Sequence, residues 1–251
     1  MKNARIVAVC GKGGVGKTVM SGVLVRVLSE EGARVLAVDA DPAMGLSYFL
    51  GVPASIKTLG KVREDLISTA RARRDPDEVA GATDYLLLEA LRETEKFDFL
   101  AMGRSQTRGC FCPVNSLLKA SIEKLAQNYD YVLVDAEAGV EQINREVMSD
   151  MDRIVVLVDG SQRSLRSMEL IQQMAEDMHL KARVGVVMNR SKESDDNGLA
   201  KDMVPFKIPL WGVMREDEEL RRNDAVGKSV FDLPPDSPVL QSARKAARFL
   251  A

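Results

Sequence analysis

The feature that most constrains this chain is a glycine-rich octapeptide that ends its first apolar run. Ile6-Val7-Ala8-Val9-Cys10 leads at once into Gly11-Lys12-Gly13-Gly14-Val15-Gly16-Lys17-Thr18, and an apolar helical pattern follows from Val19 to Leu28. The octapeptide fits G-x-x-x-x-G-K-[ST], a strand-to-helix loop that wraps a phosphate. Its glycines admit backbone dihedrals closed to larger residues, so successive N–H groups can converge on phosphate oxygens. The helix N-terminus adds partial positive charge. In this arrangement Lys17 reaches the β- and γ-phosphates and the Thr18 hydroxyl coordinates Mg²⁺. The chain is expected to bind a nucleoside triphosphate.

The rest of the pattern supplies a matching scaffold. Short apolar runs alternate with helical patterns, which predicts an α/β fold with a doubly wound, mostly parallel sheet flanked by helices. Strands are expected at Ile6–Cys10, Arg34–Asp39, Phe97–Met102, Tyr131–Asp135, Arg153–Val158, Ala182–Met188 and Ile208–Met214. Helices are expected at Lys17–Glu31, Ser116–Gln127, Val140–Met148, Ser164–Met178 and Val239–Leu250. Between Val52 and Glu95 the pattern weakens, although Thr83–Glu95 reads as helical. Residues 1–251 therefore read as one domain with a peripheral helical insertion at about 52–95.

Composition narrows the partners. A net charge of −2 and a pI near 5.7 disfavour broad electrostatic binding of nucleic acid or of an anionic membrane. No apolar stretch reaches the ~18 residues of a membrane-crossing helix, and the N-terminus runs into the first strand without a secretory pattern. Three cysteines do not make a disulfide framework. These features predict a cytoplasmic location, with neither nucleic acid nor membrane as partner.

Acidic residues close several of the predicted strands, where ligands bind in open α/β sheets. Strand two ends in Asp39-Ala40-Asp41-Pro42, and carboxylates two residues apart in extended chain face the same way. Tyr131-Val132-Leu133-Val134-Asp135 is a buried strand ending in a carboxylate suited to Mg²⁺ through water. Val184–Met188 runs into Asn189-Arg190, whose amide can both donate to and accept from a purine edge. The N-K-x-D pattern of GTPases is absent, since Lys192 stands where its Asp would be.

A pair of thiols stands apart from these. Gly103-Arg104-Ser105 leads to Gly109-Cys110-Phe111-Cys112-Pro113-Val114-Asn115-Ser116-Leu117-Leu118. Nearby arginines and a helix N-terminus would favour thiolate, the metal-binding form. Two thiolates make half of a tetrahedral site, and a two-fold dimer would bring four sulfurs together. Such a set suits Zn²⁺, Ni²⁺, Cu⁺ or an iron–sulfur cluster. Cys10 lies inside the first strand as a core residue, and His179 falls at a helix end as a solvated residue.

The loop, with Lys12 two residues before Gly14, resembles the deviant Walker A motif K-G-G-x-G-K-[ST] of the family that includes MinD, ParA, the arsenite pump ATPase and the nitrogenase iron protein. The resemblance implies an ATPase that dimerises around two nucleotides, with Lys12 crossing to the partner's nucleotide. It also implies nucleotide contacts from Gly11, Lys12, Gly13, Gly14, Val15, Gly16, Lys17, Thr18 and Val19. Val19 departs from the family's second Ser or Thr, so a hydroxyl contact to the α-phosphate is expected to be missing. By the D-x-D-P match, Asp41 orients the attacking water and Asp39 holds a water on Mg²⁺, beside Thr18 and Asp135. Ala136-Glu137-Ala138-Gly139-Val140-Glu141 resembles switch II, with the Gly139 N–H on the γ-phosphate. Asn189 and Arg190 fall where the family reads adenine.

The cysteine segment, within such an ATPase, looks like the CooC-type nickel-insertion ATPases of carbon monoxide dehydrogenase and the related acetyl-CoA synthase factors. That likeness implies a homodimeric metallochaperone with Ni²⁺ or Zn²⁺ on Cys110 and Cys112 and a nickel metalloenzyme as client. Two alternatives stand beside it: an electron-donating ATPase with a bridging iron–sulfur cluster, and a ParA/MinD-like positioning ATPase. The nitrogenase arrangement of cysteines is disfavoured, because no cysteine stands near Asp135–Glu141.

Overall fold

The alternation of apolar side chains along the first strand, Arg5–Gly11 (β1), sorts them onto two different cores. Ala8 and Cys10 face one layer of helices, Val7 and Val9 the other. A strand buried on both sides belongs at the centre of a parallel sheet, and β1 lies between Tyr131–Asp135 (β5) and Arg153–Val158 (β6). The computed structural model describes residues 4–53, 55–72, 76–103, 112–136, 147–148, 150–191 and 208–251.

The remaining strands are Val35–Asp39 (β2), Arg92–Glu93 (β3), Asp98–Ala101 (β4), Arg183–Ser191 (β7) and Leu210–Arg215 (β8). The sheet order is β3-β4-β2-β5-β1-β6-β7-β8, and all neighbours are parallel except β3 and β4. One face carries the helices Lys17–Glu30 (α1), Gly45–Leu50 (α2) and the C-terminal Pro238–Ala247 (α8). The other carries Leu59–Ala72 (α3), Pro76–Ala90 (α4), Cys112–Ala126 (α5) and Gln162–Asp177 (α6). This is the doubly wound sheet that the alternating pattern predicts.

Segment 52–95 is built into that second layer. Leu59, Val62, Leu66 and Leu87 are buried in the same core as Ile122 of α5 and Val134 of β5. Several elements differ from the sequence expectation, α2 among them. The helix expected to run to Glu95 ends at Ala90, and the chain turns back through Thr94–Phe97 so that β3 pairs with β4. A short, exposed, polar edge strand offers no apolar alternation to read. The helix Glu218–Ala225 (α7) was not expected either. It holds one apolar anchor, Leu220, and starts on Asp217, whose side chain accepts from the N–H groups of Glu219 and Leu220 at 3.0 and 3.1 Å. The helix expected at Val140–Met148 lies almost wholly outside the described residues.

The C-terminal helix is docked along its length. Val239, Leu240, Ala243, Ala246 and Ala247 are buried, Phe249 stacks on Trp211 at 6.1 Å, and Gly212 lets Ala246 approach β8. His179 caps the end of α6 in the left-handed region at φ 52°, exposed to solvent. No helix among the described residues is long and apolar enough to cross a membrane.

Candidate functional site

The carboxyl ends of β1, β2, β5 and β6 meet along one edge, and the loop between β1 and α1 lies over them. Gly11 passes so close to β6 that a Cβ there would stand 2.6 Å from the Leu157 carbonyl. Gly16, at φ 100°, turns the chain into α1. The loop lines a cleft of about 700 Å³ whose walls include Lys12, Lys17, Thr18, Val19, Asp41 and Ser167. Lys17 Nζ rests on the Lys12 carbonyl at 3.4 Å, inside the loop it would leave to meet phosphate.

Sheet register sets the next layer. Asp39 and Asp135 are cross-strand partners of β2 and β5, so the two carboxyls stand side by side, at 0% and 1% exposure. Asp39 accepts the N–H groups of Asp41 (3.0 Å), Leu46 (2.9 Å) and Ser47 (3.4 Å), which ties the switch-like turn to the start of α2. Asp135 accepts the Ser21 hydroxyl at 3.0 Å through Oδ1, while its buried Oδ2 has no hydrogen-bond partner among the described residues. Burial pushes Asp39 up to about 7, against its backbone donors and helped by the charge of Asp135. Burial likewise pushes Asp135 up to about 6, although the Thr18 and Ser21 hydroxyls and Lys17 favour its charged form. Paired, dry carboxyls with an orphaned oxygen next to a threonine hydroxyl form an all-oxygen donor set suited to a small hard cation. The residues present fit Mg²⁺.

Asp41 lies at the cleft, its Oδ1 accepting the Ala43 N–H at 2.8 Å in a local turn. Lys12 does not point into open solvent. Its ammonium pairs with Asp159 at 3.3 Å, at the carboxyl end of β6. Burial opposes the Asp159 charge, but hydrogen bonds from Ser161, Ser164 and Lys12 hold its carboxyl well below the usual range. Asp159, Ser21 and Ser167 are site residues that the sequence reading missed. The only signal was an acidic residue closing the strand at Val158, the pattern that also marked Asp39 and Asp135.

A second cavity of about 450 Å³ opens behind the loop, sharing Gly16 and Val19 with the first and lined by Asn189, Arg190, Met214 and Val239. Asn189 sits at this boundary, with its amide donating to the Val15 carbonyl at 2.8 Å. Gly139, Glu137 and Glu141 lie outside the described residues, as does Cys110. Cys112 is the first residue of α5. Cys10 is fully buried, and burial pushes its thiol up to about 12, as befits a core residue. Among the described residues no group of three or more His, Cys, Asp or Glu side chains is placed to hold a metal.

Comparison with known proteins agrees with this geometry. The family profile described as CobQ/CobB/MinD/ParA nucleotide binding domain matches residues 6–230. An uncharacterised ATP-binding protein of Methanocaldococcus jannaschii is 34% identical over 248 residues, covering 96% of each chain. The carbon monoxide dehydrogenase accessory protein CooC of Rhodospirillum rubrum is 32% identical over 240 residues, covering 91% of this chain and 90% of its own. Among solved structures, the septum site-determining protein MinD of Pyrococcus horikoshii, complexed with Mg-ADP, superposes with a TM-score of 0.72. It is 25% identical, and the match covers 98% of this chain and 96% of that one.

Proposed function

Because this chain belongs to the CobQ/CobB/MinD/ParA family of nucleotide-binding ATPases, we propose that it is a dimerising ATPase that handles a thiophilic metal, delivering nickel to a metalloenzyme. ATP is its substrate and Mg²⁺ its ion. One observation carries the coupling of hydrolysis to metal. The Met102 N–H donates to the Asp39 carbonyl at 2.8 Å, and Met102 stands in the sequence just before the segment that bears Cys110 and Cys112. In this reading that bond passes a change at the Asp39–Asp41 turn to the segment that bears the thiols. The 32% identity with CooC over most of both chains supports the same reading.

In this reading the loop N–H groups and Lys17 neutralise the phosphates, and Thr18, Asp39 and Asp135 would hold Mg²⁺, which would supply positive charge at the γ-phosphate. Asp41, with no competing ion pair among the described residues, orients the attacking water. Lys12 exchanges Asp159 for the nucleotide of a partner subunit, where a drier interface strengthens the attraction. Cys110 and Cys112 of two subunits then provide four sulfurs for one cargo ion. Closing and reopening the dimer would change that site's geometry.

Two experiments bear on this directly. Protein purified without oxygen is expected to carry nickel or zinc, without the visible absorbance of an iron–sulfur cluster. A brown protein with iron and sulfide would move the assignment to an electron-donating ATPase. Sedimentation should show ATP shifting monomers to dimers in the native chain, with the shift lost in Lys12→Ala. An unchanged shift would remove Lys12 from the interface.

A positioning role is the second reading, favoured by the 25% identity with the septum site-determining protein MinD of Bacillus subtilis across 98% of this chain. The packing of α8 against α1 and β8 weighs against it, since a helix docked by Val239, Leu240 and Ala243 has no free apolar face for a membrane.

A further inference from the structure

Both flanks of the stretch that bears Cys110 and Cys112 are fastened to the first turns of α3. On the nearer flank the Gly60 N–H donates to the Met102 carbonyl at 2.8 Å. Thr58, whose hydroxyl accepts the Lys61 N–H at 3.3 Å, packs on the next residue: a Cβ at Gly103 would stand 2.5 Å from the Thr58 Cβ. On the farther flank Arg63 Nε donates to Asn115 Oδ1 at 2.7 Å. Asn115 lies three positions after Cys112, within the first turn of α5. Gly60 and Arg63 are themselves three residues apart, less than one helical turn.

α3 can serve as a fixed point for both attachments. Leu59, Val62 and Leu66 are buried in the core, and Lys57 joins Asp65 of α3 to Glu89 of α4, each at 2.9 Å. Apolar contacts alone hold α3 near α5 without direction. A guanidinium on an amide oxygen is short and directional, and it fixes the orientation of the first turn of α5. Holding both ends of a segment before a ligand arrives lowers the ordering cost of closing a site within it.

We propose that Arg63 is a positioning residue for the thiols, fastening the start of α5 to α3 so that the cysteine stretch is held at both ends. The inference rests on the metal-handling reading and gives segment 52–95 a task, as the frame on which the metal site is mounted.

Zn²⁺ affinity of the reduced, anaerobic protein with ATP present should fall about tenfold in Arg63→Ala, the scale for losing a group that orients a ligand. Asn115→Ala should lose the same factor, and the double variant no more than either alone, because both changes remove one bond. ATP affinity should stay native in all three. Lys57→Ala, which loosens α3 from α4 without touching Asn115, should lower the melting temperature and leave Zn²⁺ affinity native. In the metal-free protein, the amides of residues 116–118 should exchange with solvent about tenfold faster in Arg63→Ala, while those of residues 122–126 keep their native rates. Native Zn²⁺ affinity in Arg63→Ala, additive losses in the double variant, or an equal loss in Lys57→Ala would overturn the proposal. A native chain that takes up no Zn²⁺ would count against the metal-handling reading instead. The exchange rates then decide whether Arg63 holds α5, and unchanged rates would overturn that.

Discussion

Asp135→Asn is expected to make the ligand-free protein more stable at pH 8 while reducing Mg²⁺-dependent turnover by about 10²-fold, the scale seen when a group supporting a metal is lost. The two effects have one cause. Asp135 is buried beside Asp39 with an unpartnered oxygen, and burial raises both carboxyls, to about 6 and about 7. A folded-state pKa above the unfolded value means that the native state holds its protons more tightly. That contribution to stability is complete below about pH 4 and is lost as pH rises through 6 to 7. Asparagine keeps an acceptor for Ser21 and removes the charge. Its advantage should therefore be small at pH 4 and grow to about 2 kcal/mol at pH 8. For a chain of this size that is a rise of about 5 °C in thermal midpoint. Adding Mg²⁺ and ADP should reverse the ranking, because the cation neutralises the pair only in the native chain. A variant less stable than the native protein at pH 8 without ligand would show that the buried Asp135 charge does not destabilise the fold.

Asp41→Asn should separate binding from chemistry. The Asp41 side chain caps its own turn by accepting from the Ala43 N–H at 2.8 Å, and an asparagine oxygen can accept the same bond. Turn geometry and nucleotide affinity are thus preserved while the carboxylate facing the cleft is lost. Single-turnover hydrolysis should slow by about 10²-fold or more, with ATP affinity within about threefold of native. Lys17→Ala differs in kind, since it removes the cation from the phosphates and should weaken binding itself. Normal turnover in Asp41→Asn would remove Asp41 from the mechanism.

Most of what places these groups could be read from residue order. The strands at Tyr131–Asp135 and Arg153–Val158 are found where their apolar runs predict, because a strand buried on both faces must be continuously apolar. The acidic ends of β2 and β5 were legible for the same reason: a charge that closes an apolar run marks the point where the strand leaves the core. Their neighbourhood was not legible. Asp39 stands next to Asp135 only through a sheet order that places β2 beside β5 rather than beside β1. Lys12 and Asp159 are 147 positions apart, and no local pattern joins them. Asn189 was legible as a polar group at the right strand end, but its bond to Val15 depends on how β7 turns over Gly16. The peripheral reading of segment 52–95 followed from its weakened apolar pattern. The burial of Leu59, Val62 and Leu66 reflects amphipathic stripes that tertiary packing resolves.

The metal-handling function requires Cys110 and Cys112 of two chains to make one metal site. Equilibrium titration of Ni²⁺ and Zn²⁺ into the reduced, anaerobic protein with ATP present measures this directly. A shared tetrahedral site requires half an ion per chain, proton release on binding, and affinity that weakens as pH falls. Replacing either Cys110 or Cys112 with Ser leaves two thiolates per dimer and should abolish tight binding, whereas Cys10→Ser should leave it unchanged. One full ion per chain, or undiminished affinity in Cys112→Ser, would contradict the shared site and with it the metal-handling function.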